Sequence, residues 1–572
     1  MVQYLNNGSN GFQQFMAAKD GDKKSGPMTI VLWVIMAMIA GWLAYTWLVP
    51  KPADVAKPGT AEVTASTEDV SRVPEKQLFS TDVSKKSNTP NYVSFSNAVV
   101  RGLRIYNIAL ADYKQESGGD ESIQLLAGDG EFAELGFIAN GTTAPAADTV
   151  WRTELLKNDV GPEIMRMSWK NSDGVEFVRS VTIKDYIINI SDKITNNSGR
   201  DISITPYARM VRGGGEKSAI VAAGAVALVN NSIEREAWHA MSKKSYAFES
   251  RGGFIGFEDQ YWETIAQIGG LDQTMRMKML ASGLYQADAA ATVPVSIRAG
   301  QSANLETRIY AGTKTQADLK TAAAAIPGIE QTIDYGWFWF LARPFLWALN
   351  ALYDFVGNYG IAIIILTIIL RALMWPLTRK SYTSMAAMQK MQPEMQRIQK
   401  LYADDKPRLQ AEMMRLYQTH KTNPMSGCLP MILQIPIFFA LYKALLVSVP
   451  MRQAQFLWIR DLGAADPTSI FNLFGLLPYS VPGWMAIGAL PIIMGLSMWW
   501  QQHLQTANKQ PAKDGDAGNP MAQTQKFMKW LPFLFVLLFA WMPAGLVLYW
   551  TVSNLFGIGQ MWVIKRKEKN KK

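Results

Sequence analysis

The sequence predicts a polytopic α-helical membrane protein with six transmembrane helices and a large all-β domain outside the cytoplasm. Six apolar runs are bounded by Trp, Tyr, Lys and Arg, the residues that flank membrane helices. Residues 91–325 are instead rich in β-branched and aromatic residues separated by Gly and Asn. The formal net charge is +10, and the basic residues lie beside the apolar runs.

The first apolar run covers residues 29–49 and follows several lysines. It is too long for the core of a signal peptide, and no A-x-A-like cleavage site follows it. We therefore predict an uncleaved signal anchor behind a cytoplasmic N-terminus, residues 1–28. Residues 50–90 are rich in Pro, Ala, Ser, Thr and Lys, which is typical of an extracytoplasmic linker.

The β-rich segment, residues 91–325, predicts an antiparallel β-sandwich. Stretches such as 174–183 alternate in strand fashion, and Asn or Gly clusters at 196–199 and 213–215 supply turns. Residues 50–334 contain 30 Lys and Arg against 35 Asp and Glu, so this part is acidic while the rest is basic. The β domain thus lies across the membrane from the basic loops.

An aromatic segment, residues 335–352, follows the β domain. Its Trp and Phe residues around an Arg-Pro pair predict an interfacial amphipathic helix on the outer face of the membrane. A buried helix that caps the β domain is the alternative.

Five further membrane spans follow from apolar length and loop charge. The loop 379–424 has nine Lys and Arg against four Asp and Glu, and the tail 565–572 has six against one. These basic segments and loop 503–526 are therefore cytoplasmic, as are both termini, and loop 450–483 lies outside. The predicted spans are 358–378, 425–449, 484–502, 527–542 and 546–564.

The cytoplasmic loop 379–424 predicts a hairpin of two amphipathic helices, because apolar residues recur at helical spacing on either side of the turn at Asp404–Pro407. Pro393 kinks or splits the first helix. A stripe of methionines packs the hairpin or, because Met adapts to varied partners, binds incoming chains. The candidate recruitment residues are Met385, Met388, Met395, Arg397, Lys400, Arg408 and Arg415.

Polar side chains interrupt three of the spans at similar depth. Arg371 and Gln434 each lie eight residues from the cytoplasmic end, roughly 12 Å inside a straight helix, and Asn554 lies roughly 16 Å inside. Thr367 is one turn from Arg371 on the same helix face. Polar groups in lipid need partners or water, so these side chains predict a hydrated, positively charged notch in the inner leaflet.

The polar residues of the notch have two alternative explanations. Arg371 could snorkel to the inner headgroups while the amides only join helices, although roughly 12 Å exceeds the reach of an Arg side chain. A channel or transporter could use Arg371 for an anion, but the spans contain no Asp or Glu for ion coupling and no visible inverted repeat. Lys443 can snorkel outward and is given no role.

Composition excludes several kinds of chemistry. One cysteine rules out an intramolecular disulfide or a CxxC metal site, and three distant histidines argue against a metal or nucleophile site. We predict no cofactor, no metal and no catalytic residue. No nucleic-acid motif accompanies the basic residues, although the ribosome is a candidate partner for the basic tail and cytoplasmic loops.

Ordered motifs between residues 335 and 565 resemble the YidC/Oxa family of membrane protein insertases. The chain with its N-terminal anchor and β domain is similar to the Gram-negative form of that family. The motifs are Phe355–Gly360, Leu370–Ala372, Pro376–Thr378, Ser381–Met385, Asn423–Pro424, Gly427–Pro430, Gln434–Phe438, Ala440–Tyr442, Pro543–Tyr549 and Val552–Asn554.

The resemblance implies a periplasmic β-supersandwich, a five-helix insertase core and a location in the inner membrane. It also implies insertion of nascent membrane proteins into lipid, alone or with the Sec translocon, by a protein that is not an enzyme. Arg371, Thr367 and Gln434 match groove-lining positions, and Tyr549 and Trp550 match an aromatic pair that contacts the passing segment. Trp550 departs from the Tyr of many relatives. The segment 464–482 is longer than in relatives and has no implied role.

A competing class is a membrane-anchored periplasmic carbohydrate-binding protein or enzyme. The sandwich fold that the resemblance implies includes sugar-binding domains, but His239 is the one histidine of the β domain. We therefore favour a structural or partner-docking role for this domain.

Overall fold

A computed structural model describes most of the chain from residue 79 onward. The described residues are 79–80, 95–101, 104–115, 119–146, 149–156, 164–214, 223–402, 405–420, 429–477, 481–482, 485–506 and 520–569. The predicted cytoplasmic N-terminus (1–28) and signal anchor (29–49) lie outside these residues, as does nearly all of the linker.

Two antiparallel sheets form the β domain. Among the described residues one sheet has ten strands in the order β1-β2-β3-β5-β10-β17-β16-β13, with β4 beside β3 and β18 beside β10. The other has nine, in the order β12-β11-β14-β15-β19-β9-β8-β7-β6. The strands are β1 Phe79–Ser80, β2 Phe95–Arg101, β3 Arg104–Lys114, β4 Ser122–Leu125, β5 Phe132–Asn140, β6 Arg152–Leu156, β7 Ile164–Lys170, β8 Val175–Lys184, β9 Ile187–Asn196, β10 Ile202–Arg212, β11 Gly224–Val229, β12 Ser232–Ala237, β13 Tyr246–Arg251, β14 Phe254–Glu258, β15 Trp262–Ile268, β16 Asp272–Met279, β17 Tyr285–Ala291, β18 Val295–Ile297 and β19 Ser302–Thr313.

The predicted antiparallel β-sandwich is confirmed, and strand β8 shows why these residues form it. Its side chains alternate between buried and half-buried, so every second residue joins the core between the sheets. The turn from β8 to β9 is made by Asp185 and Tyr186, which both have positive φ (51° and 64°). Two such residues match the twist of a tight hairpin. Tyr186 tolerates this conformation while its ring packs against Tyr310, with centroids 6.1 Å apart.

Alternating charges cross the ten-stranded sheet on the face away from the sandwich core. The aligned side chains are Arg104, Glu134, Arg209, Asp288 and Arg276, on five neighbouring strands. Glu134 accepts from Arg104 Nε at 2.6 Å and from Arg209 Nη2 at 2.9 Å. Burial opposes ionisation of Glu134, but the two guanidinium groups outweigh it and hold its pKa below the usual value.

A second buried charge cluster joins the nine-stranded sheet to the chain that leads out of the domain. Glu258 accepts from Arg235 Nε at 2.7 Å and from Lys314 Nζ at 2.6 Å, and Arg235 also donates to the carbonyl of Thr332 at 2.8 Å. Glu263 lies opposite Glu258 on the neighbouring strand. Burial raises the pKa of Glu263 to about 8, although Lys314 opposes the shift.

Helices form the rest of the described chain. Two short ones belong to the β domain, and nine follow it among the described residues. They are α1 Trp238–Met241, α2 Gln316–Ala322, α3 Trp339–Val356, α4 Tyr359–Leu373, α5 Trp375–Lys390, α6 Gln392–Leu401, α7 Lys406–Thr419, α8 Leu429–Leu446, α9 Ala489–Thr506, α10 Pro520–Phe539 and α11 Ala544–Lys569.

The predicted span 358–378 is not one straight helix, because it falls on two helices with a break between them. Helix α4 ends at Leu373, and α5 starts two residues later at an angle of 60°. Pro376 explains the break, since it has no backbone N–H to continue the α4 ladder and suits the first turn of a new helix. The bend shortens the distance from Arg371 to Arg379 along the α4 axis from roughly 12 Å to about 8 Å.

A helix that crosses a membrane must be both long enough and apolar enough. Within the described residues, no single helix passes both criteria, whereas α4 and α5 pass them together as a bent pair. The other predicted spans coincide with α8, α9, α10 and α11, with ends that differ by several residues. The aromatic segment 335–352 forms α3, four residues later at each end.

The predicted cytoplasmic hairpin corresponds to α6 and α7, which α5 precedes. The break falls at Met391, where Pro393 occupies the first turn of α6. Asp405 caps α7 by accepting from the Arg408 N–H at 3.1 Å. His420 at the end of α7 lies 3.4 Å from Glu394 at the start of α6, so the two helices run antiparallel.

The β domain is docked on the α8 end of the helical part. Arg452 donates through Nη1 and Nη2 to the carbonyls of Lys114 and Gln115, both at 2.7 Å. Lys443, which the sequence left without a role, binds Asp334 at 2.6 Å. Burial opposes ionisation of Asp334, yet Lys443 holds its pKa below the usual value. The end of α8 at Leu446 therefore lies on the side of the helices that faces the β domain, where Gln260 donates to the Leu446 carbonyl.

We predict that Glu134→Gln lowers the free energy of unfolding by about 3 kcal/mol, because it leaves two buried guanidinium groups without their carboxylate. Urea unfolding of the full chain in detergent, followed by circular dichroism, measures the loss. Glu306→Gln is the matched control. Glu306 pairs with Arg308 but its side chain is 61% exposed, so the change costs less than about 1 kcal/mol. Equal losses would contradict the prediction.

We predict that the β domain is more stable near pH 4.5 than near pH 8. Glu263 titrates near 4.5 when unfolded and near 8 when folded, so folding takes up a proton across this window and stability falls as pH rises. Glu263→Gln should flatten this dependence and raise stability at pH 8. Glu258→Gln on the partner strand should instead lower stability throughout, because Arg235 and Lys314 lose their acceptor. Unfolding free energies at several pH values measure both.

Candidate functional site

The last turn of α4 places Arg371. The guanidinium lies at the C-terminal end of the helix, where the helix dipole favours a positive charge. Its Nε donates to Ser553 Oγ at 2.6 Å. Its own carbonyl accepts from Gln560 Nε2 at 3.3 Å, which satisfies one of the groups left free at a helix end. Both partners are on α11, so this helix contacts both the guanidinium and the backbone carbonyl of Arg371.

One face of α11 links this arginine to α8. Tyr549 and Ser553 are one turn apart on this face. Gln434 Nε2 on α8 donates to the Tyr549 hydroxyl, and Ser553 Oγ accepts from Arg371 on α4. This chain of polar contacts, Gln434 to Tyr549 and Ser553 to Arg371, joins three helices. The structure places three sequence-predicted residues, Gln434, Tyr549 and Arg371, at this face of α11.

Arg371 keeps most of its hydrogen-bonding capacity. A guanidinium has five N–H donors, and Ser553 uses one. Within the described residues, neither Nη nitrogen has a hydrogen-bond partner, and the Arg371 side chain is half-buried. The titratable groups beside the guanidinium in that part of the chain are the neutral hydroxyls of Tyr549 and Tyr382, rather than carboxylates. The site can therefore bind an incoming acidic or carbonyl oxygen.

Two predicted residues lie apart from this chain of contacts. Thr367 is 1% exposed, and its hydroxyl donates to the carbonyl of Ile363 in the preceding turn at 2.6 Å. Asn554 is 5% exposed and donates to Ser497 Oγ on α9 at 3.1 Å. In this conformation Thr367 packs inside the helices, and Asn554 joins α9 to α11.

Trp550 belongs to an aromatic cluster instead. Its ring lies 5.1 Å from Phe438 of α8 and 5.4 Å from Phe539 of α10, centroid to centroid. Phe535 is the fourth member, 5.8 Å from Trp550. Trp550 follows Tyr549 directly, so the cluster adjoins the polar chain of contacts along α11. An apolar segment passing this point meets rings rather than hydrogen-bonding groups.

The outer faces of the helices are apolar and uncovered. Leu373 is 78% exposed on α4, as are Leu496 to 60% on α9 and Phe533 to 59% on α10. Such large exposed residues on neighbouring helices are far more than a water-soluble surface usually shows. They form a surface suited to lipid.

On the predicted cytoplasmic hairpin, three of the candidate arginines are exposed, whereas the candidate methionines whose side chains are described are buried or half-buried. Arg397, Arg408 and Arg415 are exposed. Met395 is 3% exposed and packs inside, Met388 is half-buried, and the exposed apolar side chains there are Leu401 and Met414. Of the two roles considered for the methionines, packing the hairpin or binding incoming chains, the burial of Met395 favours packing. The side chains of Met385 and Lys400 lie outside the described part of the structure.

Sequence reasoning missed the partners that hold the site. Ser553 lies inside a quoted motif, and its spacing of four from Tyr549 signals a shared face. Tyr382 and Gln501 meet at Gly557, where a Cβ would lie 3.9 Å from the Tyr382 hydroxyl and 2.6 Å from Gln501 Nε2, so glycine permits this close approach. No pattern in the chain pairs residues so far apart in sequence.

The polar groups of the site are not metal ligands. Among the described residues no group of three or more His, Cys, Asp or Glu is placed to hold a metal ion. The site consists of a guanidinium, hydroxyls and an amide, which bind by hydrogen bonds and charge.

Comparison with known proteins defines the class. Residues 351–572 match the family model described as 60Kd inner membrane protein, and residues 89–348 match the YidC periplasmic domain. The chain is thus a bacterial inner-membrane protein with a periplasmic β domain.

The curated relatives identify the family. A protein of Beijerinckia indica is 35% identical over 512 residues, 84% of this chain and 82% of its own length. Proteins of Rickettsia canadensis (36% over 490 residues, 82% and 85%) and Mesorhizobium japonicum (34% over 541 residues, 91% and 86%) are similar. Each is named membrane protein insertase YidC. The chain belongs to the YidC family of membrane protein insertases.

A solved structure also matches part of the chain. A galactose mutarotase-related enzyme from Lactobacillus acidophilus is 8% identical, with a TM-score of 0.30, covering 42% of this chain and 98% of its own. At that score the likeness carries no argument about activity. The family models and insertase relatives name no enzymatic activity, so the competing enzyme class is not favoured.

We predict that Ser553→Ala lowers the stability of the helical part by about 1–2 kcal/mol, because Arg371 loses a buried acceptor between helices. Thr551→Val is the matched control, since Thr551 is equally buried but its hydroxyl donates only to Val547 of its own helix. Thermal unfolding in detergent measures both. A loss with Thr551→Val as large as that with Ser553→Ala would contradict the assigned role.

Proposed function

We propose that this chain inserts and helps to fold inner-membrane proteins by binding their hydrophilic segments at Arg371. The observation that supports this most directly is a half-buried cation in an apolar helix bundle, whose two Nη groups have no hydrogen-bond partner among the described residues. A charge in such surroundings is costly, so it favours an opposite charge or carbonyl oxygens that arrive with a substrate.

The proposed groove lining is Arg371, Gln434, Tyr549 and Trp550, with Thr367 and Asn554 behind it. A polar segment that binds Arg371 crosses less hydrocarbon, because the binding site lies within the inner half of the membrane. Its apolar flank then moves along the Trp550 cluster to the exposed apolar faces and into lipid. This mechanism needs binding and release but no covalent step, no metal and no cofactor.

Substrates are nascent membrane proteins, and the cytoplasmic hairpin is the proposed point of entry. Arg397, Arg408 and Arg415 supply exposed positive charge, and Leu401 and Met414 supply apolar contact. With the basic tail, residues 565–572, this surface suits the anionic ribosome. The Sec translocon and inner-membrane lipids are further proposed partners.

The proposed topology has six spans and both termini in the cytoplasm. Helices α4 with α5, α8, α9, α10 and α11 supply the five-helix insertase core, and residues 29–49 supply the anchor. The distribution of loop charge supports this orientation, as does docking of the β domain at the outer end of α8.

Photo-crosslinking of ribosome-bound nascent chains tests the groove. Crosslinkers at Gln434 and Trp550 should capture a short single-spanning substrate during insertion. Ile369 is the matched control, because it lies two residues from Arg371 but is 51% exposed on the outer, apolar side of α4. Capture at Ile369 alone would assign entry to the lipid face. No capture at any position, together with loss of activity on deleting residues 91–325, would overturn the insertase proposal.

We predict that Arg371→Lys retains insertion of substrates with acidic translocated segments, whereas Arg371→Glu reduces it at least about tenfold. Lysine keeps the positive charge, and glutamate repels the segment. Insertion assays with a matched substrate whose acidic residues are replaced by Asn or Gln provide the control, and there the Glu variant should recover. Equal activity of all variants would show that charge is not the operative property.

A further inference from the structure

The segment between α8 and α9 has an uncovered apolar tip. Leu473, Phe474 and Leu476 are 52%, 49% and 83% exposed, and Leu477 is 39% exposed. No charged residue occurs between Asp466 and Lys509. We call residues 470–477 the apolar finger. Nothing in the groove described above uses it.

The base of the finger is rigidly held. Asp466 is 5% exposed and accepts from the Leu490 N–H in the first turn of α9 at 2.8 Å, as an N-terminal carboxylate should. It also accepts from the Thr468 hydroxyl at 2.7 Å, and that oxygen accepts from the Ala489 N–H at 2.9 Å. A Cβ at Gly488 would lie 2.5 Å from Asp466, so this approach requires glycine.

The finger also satisfies its own backbone. The N–H of Phe474 donates to the carbonyl of Ser469 at 2.7 Å, and that of Leu477 donates to Asn472 at 3.1 Å. The chain curls enough to do this because Leu473 and Phe474 both have positive φ (51° and 58°), a conformation that non-glycine residues rarely adopt. Internal pairing of this kind is what irregular backbone needs in a medium without water.

The position of the finger identifies its surroundings. Its base is joined to the start of α9 and, through Leu462 O and the Gly545 N–H at 2.9 Å, to the start of α11. It therefore lies at the outer ends of these helices, on the side where the β domain docks. The first turns of α9, to which this base is joined, also expose apolar side chains, those of Ile493 and Leu496. The absence of charge and these exposed apolar side chains next along the chain both favour lipid.

We propose that the apolar finger inserts into the outer leaflet of the membrane and anchors the outer end of α9 there. The Asp466 cap keeps the finger rigid, so α9 and its hydrogen bond to Asn554 keep a fixed depth while substrates pass. The occupant is the acyl-chain region of the bilayer rather than a protein.

Depth-dependent fluorescence quenching tests this. Leu476→Cys in a Cys428→Ser background carries an environment-sensitive label, and the full chain is reconstituted in phosphatidylethanolamine–phosphatidylglycerol vesicles with brominated acyl chains. We expect the label to be quenched at least about twofold relative to vesicles without bromine. The matched control is Val293→Cys in the β domain, also apolar and 69% exposed, where we expect no quenching.

A second variant excludes an effect of the label itself. With the label moved to Leu473→Cys, the added change Leu476→Glu should remove most of the quenching, whereas Leu476→Ile should keep it. Absence of quenching at both label positions would overturn the proposal. A signal that grows with protein density but not with brominated lipid would assign the finger to contact between copies and would also overturn it. Failure here leaves crosslinking at Gln434 unaffected, so the two proposals are separable.

Discussion

The helical part depends on how one guanidinium is held among apolar side chains. Arg371 cannot lose its charge, so the fold must supply compensation at that point. The C-terminal end of α4 supplies a favourable dipole, Ser553 supplies an acceptor, and Gln560 occupies the carbonyl of the same residue. Among the described residues, none of these contributions occupies the two Nη nitrogens of Arg371. The charge is compensated but not neutralised, and the proposed function uses this remaining hydrogen-bonding capacity.

The bend at Met374 makes that compensation possible. A straight helix through residues 358–378 would bury the α4 carbonyls in an unbroken ladder and would place Arg371 in the middle of its length. Because Pro376 ends the ladder, Arg371 lies in a last turn with free carbonyls. The bend also turns α5 so that Tyr382 lies near the guanidinium, and Tyr382 meets Gln501 of α9 at Gly557. One proline thus affects both the electrostatic surroundings of Arg371 and the direction of the helix that follows it.

Strand alternation predicted the β-sandwich, and polar side chains in apolar runs pointed to Arg371 and Gln434, whereas Tyr549 was implied only by the family resemblance. Strand alternation and an arginine in an apolar run are local patterns, which a sequence shows directly. The hydrogen-bonded pairs between distant helices could not be predicted in this way. Gln434 to Tyr549 spans 115 residues and Arg371 to Ser553 spans 182, and no periodicity encodes such distances. Lys443 shows the same limit, because snorkelling to water and pairing with Asp334 look identical until the β domain is placed. Helix spacing and depth pointed to Thr367 and Asn554 as well, but neither signal says whether a side chain lines a groove or holds two helices together.

The same principle connects the two sides of the molecule. Arg371 and Asp466 are opposite charges, each at the end of a helix whose dipole stabilises it. Arg371 donates to the hydroxyl of Ser553 on another helix, whereas Asp466 accepts from the hydroxyl of Thr468 in its own segment. Their consequences differ because their exposure differs. Asp466 is enclosed and also accepts from the N–H groups of Thr468 and Leu490, so it fixes the segment between α8 and α9 in one conformation. Arg371 is partly open and keeps donors in reserve, so it can exchange partners. A rigid outer end and an exchangeable inner charge are the combination that lets a segment bind and leave while the helices around it keep their positions.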